Sequence, residues 1–132
     1  MSQENVDRVR EFIDAYNRRD FDAAVDSFDP EIDFVLPAHQ SADSGRGIDH
    51  VIRFFEGLDE TFDDVKLLPQ EFIDGGDRIA TRLRHYAHGK GSGLVLDEEL
   101  YHQVTTFRDG RIVRIEYFTD WGAALEAAGL LG

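Results

Sequence analysis

Residues that could carry acid/base or ligand-anchoring chemistry alternate with other residues in the second half of the chain. Arg82 and Arg84 stand two residues apart, Tyr101 and Gln103 do the same, and Glu116 lies in a third stretch. A buried carboxylate can act as a general base, because burial raises its pKa while pairing with arginine lowers it. If these groups meet in an apolar cavity, they form a polar centre for a ligand. Otherwise they are a structural ion pair, or the arginines lie on a solvated face.

The Asp109-Gly110 pair predicts a two-residue hairpin turn between strands at 95–108 and 111–119. An unbroken ladder from this turn makes Gln103 oppose Glu116. One face of the hairpin then carries Tyr101, Gln103, Thr105, Arg114, Glu116 and Phe118. The other face carries His102, Val104, Thr106, Val113, Ile115 and Tyr117. Both faces are largely apolar, so we expect both to be covered.

The strand predicted at 78–88 also has two distinct faces. One holds Arg78, Ala80, Arg82, Arg84, Tyr86 and His88, and the other holds Ile79, Thr81, Leu83, His85 and Ala87. Alternation alone leaves open which face points inward.

The histidines and glycines do not form a recognisable metal or phosphate motif. The five histidines, at positions 39, 50, 85, 88 and 102, lack ligand spacing, and the chain has no cysteine. The glycines at 89, 91 and 93 join two predicted strands, without a helix N-terminus to hold an anion. We therefore expect no metal site and no cofactor.

The elements that must position these residues follow from hydrophobic periodicity. Apolar residues at helical spacing predict helices at 3–18, 21–28 and 48–62, and a short helix at 121–128 follows the last strand. Period-two stretches predict strands at 32–36, 65–74, 78–88, 95–108 and 111–119. Helices followed by a run of strands are typical of an α+β fold.

Composition limits the domain count and the classes of partner. The 132 residues, 42% of them apolar, predict one domain over residues 1–132. The net charge of −13 disfavours nucleic acid and anionic membrane surfaces. The sequence lacks an apolar stretch long enough to span a membrane, and the polar N-terminus lacks a signal-peptide core. We therefore expect a cytoplasmic protein that begins at Met1.

Three stretches of the chain resemble the nuclear transport factor 2-like superfamily, in particular its SnoaL-like branch. The first is the helix-turn-helix opening at residues 16–21, which leads to Asp29-Pro30. The second, residues 73–79, leads into the long strands. The third is the hairpin at 106–112, followed by residues 116–120 and 124–130. The resemblance implies a cone: a curved antiparallel sheet wrapped around three N-terminal helices, closed by a short C-terminal helix. It also implies a ligand cavity on the concave face and, often, a homodimer through the convex face.

The resemblance to limonene epoxide hydrolases places Glu116 and Arg82 in the cavity as catalytic residues. Arg84, however, occupies the position of that site's second carboxylate, which disfavours epoxide hydrolysis. The resemblance to ketosteroid isomerases fails at Phe12 and Leu36, which replace the oxyanion donor and the base. Polyketide cyclases of the SnoaL-like branch use acid/base side chains in the same cavity, where Glu116, His39 or His102 would serve.

Two functions follow. The first is binding of a small, largely apolar molecule in the cone, with acid/base chemistry of a cyclase, isomerase or hydrolase type left open. Its ligand-binding residues would be Tyr16, Phe34, Phe55, Arg84, Tyr101, Gln103 and Phe118. The second is a non-catalytic, dimeric ligand- or partner-binding domain. The homodimer would form through Val104, Val113, Ile115 and Tyr117.

Overall fold

Three helices precede most of the strands, and a fourth helix follows the last strand. The computed structural model describes residues 2–130, in which α1 spans Ser2–Asn17, α2 Phe21–Ala24, α3 Ile48–Thr61 and α4 Trp121–Ala127. Met1, Leu131 and Gly132 lie outside the described residues, and the prediction of one domain over residues 1–132 stays a prediction. Within residues 2–130, no helix combines the length and the apolar character needed to cross a membrane.

Within the described residues, seven strands form one curved, mixed sheet. They are β1 Phe28–Val35, β2 Gly45–Arg46, β3 Phe62–Asp74, β4 Arg78–Gly89, β5 Val95–Glu98, β6 His102–Arg108 and β7 Arg111–Phe118. Their order is β2-β1-β7-β6-β4-β3, and β5 pairs with β4. The predicted α+β class and cone are confirmed. The sheet is not wholly antiparallel as expected, since β1 pairs with β7 in parallel.

Several element boundaries differ from the sequence-based prediction. The second helix ends at Ala24, and β1 begins at Phe28, so Pro30 lies inside a strand. The β1–β7 register shifts between Phe28 and Asp33, and at such an irregularity a residue without an N–H costs no ladder bond. The predicted strand 95–108 is two strands, β5 and β6, because residues 99–101 leave the ladder.

Helix α1 packs its apolar face against the sheet and α3. Val9 and Ile13 are fully buried there, and Tyr16 meets Phe55 of α3 edge-to-face with ring centroids 4.8 Å apart. The Asn17 side chain then binds β3 as a neighbouring strand would. Its Nδ2 donates to the Leu67 carbonyl oxygen at 2.8 Å, and its Oδ1 accepts from the Leu67 N–H at 2.9 Å.

The β6–β7 hairpin contains a bulge that decides which residues share a face. Asp109 and Gly110 have φ values of 52° and 78°, as the predicted two-residue turn requires. Phe107 opposes Ile112, but the register then shifts by one residue. Beyond this bulge the pairs are Thr106–Arg114, Thr105–Ile115, Val104–Glu116, Gln103–Tyr117 and His102–Phe118.

Helix α4 covers part of the convex face of the sheet, the face turned away from α1 and α3. The Asp120 carboxylate caps the helix by accepting from the Ala123 N–H at 2.8 Å. Ala124 then packs with Val104 in a second, smaller core. Trp121 lies edge-on to the His102 ring, with centroids 5.3 Å apart.

Candidate functional site

A cavity of about 300 Å³ lies between the helices and the concave face of the sheet. Apolar side chains from α3 and the strands form most of its wall. These are Leu36, Phe54, Phe55, Leu58, Phe62, Val65, Leu67, Ala87, Leu96 and Leu100. A concave, mostly apolar space of this size is typical of a small-molecule site.

Hydrogen-bonding groups occur in the wall, but all of them are neutral side-chain types at pH 7. They belong to Tyr16, Gln40, His85, Tyr86, Tyr101 and Tyr117. None of the residues that line this cavity is an Asp, Glu, Lys or Arg. A ligand would therefore meet hydrogen-bond partners but no opposite charge.

The chain closes over one side of the cavity with a 3₁₀ segment, Ala38–Asp43. The Tyr101 hydroxyl donates to Gln40 Oε1 at 2.5 Å, and it lies 3.3 Å from His39 Nε2. The His39 ring also stacks on Tyr101, with centroids 6.1 Å apart. This segment is held to the sheet through Tyr101, so its position controls one wall of the cavity. His39, named above as an acid/base residue by the resemblance to polyketide cyclases, is exposed and contacts Tyr101 of the cavity wall.

His85 is the imidazole in the cavity wall. Burial, aided by the nearby His102, lowers its pKa from 6.5 to about 4. Its Nδ1 is buried without a hydrogen-bond partner among the described residues, and Tyr101 meets its ring edge-on at 5.5 Å. The imidazole is therefore neutral at pH 7 and can donate or accept a hydrogen bond.

Tyr16 and Tyr117 are the deepest hydroxyl-bearing residues of the wall. Burial raises the pKa of the Tyr16 phenol, although Arg19, whose guanidinium lies 4.8 Å above the ring, opposes the shift. Burial also raises the pKa of Tyr117, and the neighbouring Tyr16 adds to this effect. Both phenols are therefore neutral donors at physiological pH.

Three buried polar side chains lie on the concave face beside this wall. Thr81, Gln103 and Thr105 have no solvent exposure. Gln103 stands between Thr81 on β4 and Tyr117 on β7 in the strand register. We call Thr81, Gln103 and Thr105 the inner polar cluster.

The predicted placement of Glu116 in the cavity is wrong. Glu116 opposes Val104 and lies on the convex face, where its Oε1 accepts from Arg114 Nη2 at 3.0 Å. The bulge between Thr106 and Phe107 causes this change, because a one-residue shift moves every later side chain of β7 to the other face. Phe118 turns to the convex face for the same reason and packs in the second core with α4.

The predicted inward orientation of Arg82 and Arg84 is also wrong. Arg82 Nε donates to Glu99 Oε1 at 2.6 Å, and Arg84 Nε donates to Asp97 Oδ1 at 2.6 Å, all on partly exposed side chains. Leu83, between them, is fully buried in the main core. Burial of the apolar face therefore turns the arginines outward, and Glu116 and Arg82 do not form a polar centre.

The other predicted ligand-binding residues are divided between the cavity and the core. Tyr16, Phe55 and Tyr101 line the cavity, although their contact with a ligand stays a prediction. Phe34 is buried in the main core, with its ring 5.6 Å from that of Tyr117. Gln103 lies on the concave face but is sealed from the open space.

Sequence reasoning missed His85, Gln40 and Tyr117 as cavity residues. The signal for His85 was present, since it shares a strand face with Ile79 and Leu83, which are typical core residues. Tyr117 depended on the bulge, which the turn residues do not encode. Gln40 lies in a loop whose path the sequence pattern did not predict.

A metal centre finds no support in the described part of the chain. Residues 2–130 contain no group of three or more His, Cys, Asp or Glu side chains placed to hold an ion. His85 lies in an apolar wall, and His102 Nδ1 accepts from the Leu83 N–H at 3.2 Å.

Comparison with known proteins gives a family model and many similar folds. A family model described as SnoaL-like domain matches residues 9–115. A search of curated proteins finds no match.

Solved structures share the architecture along nearly the whole chain. An NTF2-like protein of unknown function from Burkholderia pseudomallei is 26% identical, with a TM-score of 0.78 over 93% of this chain and 95% of that one. A putative SnoaL-like polyketide cyclase from Jannaschia sp. CCS1 is 22% identical, with a TM-score of 0.75 over 98% and 94%. TerC, co-crystallised with polyporic acid, is 21% identical, with a TM-score of 0.77 over 96% and 98%.

Proposed function

The chain belongs to the SnoaL-like domain family, and we propose that its cone binds a small, uncharged and largely apolar molecule. The observation that carries this proposal is the cavity of about 300 Å³, with its aromatic and aliphatic wall and its few neutral hydrogen-bonding groups. Apolar contact with this wall makes the free energy of ligand binding more favourable. Hydrogen bonds to Tyr16, His85 or Tyr117 then fix the orientation of the ligand.

The lack of charge in the wall restricts the ligand further. An ionised carboxylate or ammonium buried here would lose its hydration without meeting an opposite charge, and that loss is costly. His85 cannot supply a positive charge near pH 7, because burial lowers its pKa to about 4. We therefore propose that the protein selects neutral molecules over their ionised analogues.

Named relatives are compatible with a cone that holds an aromatic or polyketide-like molecule. TerC was crystallised with polyporic acid, and the Jannaschia protein is described as a putative polyketide cyclase. At 21% and 22% identity these structures share the fold with this chain, and polyporic acid and the described activity belong to those proteins.

Acid/base catalysis is the second candidate, and it would rest on His85. Its neutral imidazole lies in the cavity wall, where the ring could accept a proton from a bound substrate. A base with a pKa of about 4 is weak at pH 7, so binding is the better supported function. We still predict that the protein does not isomerise ketosteroids. Leu36 in the cavity wall cannot act as the base, and buried Phe12 cannot donate a hydrogen bond to the oxyanion.

Titration calorimetry with three two-ring probes tests the proposal. We expect naphthalene and 2-naphthol to bind, and we expect 2-naphthoate at pH 7.5 to bind at least about tenfold more weakly. Leu58→Trp should reduce binding of both neutral probes by filling the cavity. The matched control is Leu94→Trp, on an exposed loop residue with 61% of its surface accessible. Equal binding of naphthoate, or neutral binding that Leu58→Trp leaves unchanged, would reject the proposed site.

The homodimer through the sheet stays a prediction, but its basis changes. Ile115 and Tyr117, two of the four residues on which it depended, are core residues, and Val104 is covered by α4. The convex face that remains open carries Arg114 and Glu116 with half-buried Val113. Light scattering at micromolar concentration decides between monomer and dimer.

A further inference from the structure

The inner polar cluster contains hydrogen-bonding atoms that the chain itself does not satisfy. Thr81 Oγ1, Gln103 Nε2, Gln103 Oε1 and Thr105 Oγ1 are buried and have no hydrogen-bond partner among residues 2–130. All three residues have zero exposure, so bulk solvent does not reach them. Buried polar side chains are nearly always hydrogen-bonded, because leaving one unpaired costs folding free energy.

The strand register brings these atoms together on one face. Thr81 is the direct cross-strand partner of Gln103, and Thr105 lies two residues from Gln103 on the same face of β6. Direct partners on one face have Cβ atoms about 5 Å apart, within reach of a single bridging group. The unsatisfied atoms therefore form a cluster, and one bound molecule can serve several of them.

The cluster also adjoins the cavity. Tyr117, directly opposite Gln103, lines the cavity, and so does Tyr101, which lies two residues before Gln103 and just ahead of β6. The groups on offer are two hydroxyls and one amide, which supply donors and acceptors but no charge. An ion placed here would lack a counter-charge, whereas an uncharged oxygen can accept from the amide and donate to or accept from the hydroxyls.

We propose that Thr81, Gln103 and Thr105 form a polar subsite that binds an uncharged oxygen group. Its occupant is a water molecule in the ligand-free protein, or the hydroxyl or carbonyl oxygen of a ligand whose binding opens the sealed contact beside Tyr117. The ligand alternative rests on the proposed function, and the water alternative does not.

Calorimetry with naphthalene and 2-naphthol on wild type and Gln103→Met tests the ligand alternative. Methionine has nearly the shape of glutamine but cannot make its hydrogen bonds. If the naphthol hydroxyl occupies the subsite, its affinity falls roughly three- to tenfold in the variant while that of naphthalene is unchanged. Gln70→Met, at an exposed residue of β3, is the matched control and should change neither affinity.

A high-resolution crystal structure of the wild-type protein, alone and with 2-naphthol, tests the water alternative without depending on the folding of a variant. An ordered water hydrogen-bonded to Gln103 and a threonine, or the naphthol oxygen in that place, supports the subsite. If neither probe binds but the water is present, the proposed function fails and the subsite stands. If no oxygen lies within hydrogen-bond distance of the cluster in either crystal, the inference is overturned.

Discussion

Gln103 of β6 lies directly opposite Tyr117 of β7, and both face the concave side of the sheet. The bulge between Thr106 and Phe107 creates this partnership, and it places Val104 opposite Glu116 on the convex side. Residues of β7 therefore divide into an inner set that supports the cavity and an outer set that meets α4 or solvent. Substitutions along this strand should follow that division.

Ile115→Ala should destabilise the protein far more than Val113→Ala. Ile115 is fully buried in the main core, whereas Val113 is half-buried beside the bulge. We expect the free energy of unfolding to fall by about 2–5 kcal/mol for Ile115→Ala, and by about 1 kcal/mol or less for Val113→Ala. Urea denaturation measures both values. An unbulged hairpin would put these residues on one face, so similar losses would contradict the observed register.

Glu116→Gln should have little effect on either stability or ligand binding. The carboxylate pairs with Arg114 at 3.0 Å on a partly exposed face, and such surface pairs contribute only about 0–1 kcal/mol. We expect the free energy of unfolding to change by less than about 1 kcal/mol, with unchanged naphthalene affinity. A loss of several kcal/mol in the free energy of unfolding, or a loss of probe binding, would show instead that Glu116 is buried in the site.

The helices, most of the strand segments and the turn at Asp109-Gly110 could be predicted because they depend on local periodicity and turn chemistry. The faces could not, because they depend on a bulge that adds one residue to β7 between Ile112 and Arg114. The parallel contact of β1 with β7 joins segments far apart in sequence, and local pattern does not determine it.

The position of the arginines shows a different source of error. The resemblance to epoxide hydrolases predicted that Arg82 and Arg84 point inward. Leu83 lies between them on the opposite face of the strand, and a leucine is buried far more often than an arginine, so Leu83 takes the core position. Glu99 and Asp97, which pair with these arginines, come from residues 97–99 on the far side of a loop. The cavity is apolar because the sheet turns its charged face outward.

Tyr101→Phe should loosen the 3₁₀ segment Ala38–Asp43. The lost hydroxyl binds Gln40 at 2.5 Å and contacts His39 at 3.3 Å, and these contacts join the segment to the sheet. We expect faster amide hydrogen exchange at residues 38–44, with unfolding free energy lower by about 0.5–1.5 kcal/mol. The control is Tyr86→Phe, whose hydroxyl makes no such contact with the segment in the described structure. Equal exchange in both variants would show that Tyr101 does not hold the segment.

His85 should make the stability of the protein depend on pH between about 4 and 6.5. The unfolded chain takes up a proton at His85 near its ordinary pKa of 6.5, but the folded protein does so only near pH 4, because its imidazole is buried beside His102. The unfolded state therefore binds more protons in this interval, and the free energy of unfolding falls as the pH is lowered. The full contribution, present above pH 6.5, is about 3 kcal/mol.

The many carboxylates of this acidic chain also titrate at low pH, so the His85 contribution is measured as a difference. Urea denaturation of wild type and His85→Gln at pH 7.5 and pH 4.5 provides it, because glutamine keeps a polar side chain without a titrating group. We expect wild type to lose about 2–3 kcal/mol more than His85→Gln between the two pH values. Parallel losses would mean that the imidazole has an ordinary pKa and is open to water. His85 would then be available as a base at neutral pH, and the choice of binding over acid/base catalysis would have to be reversed.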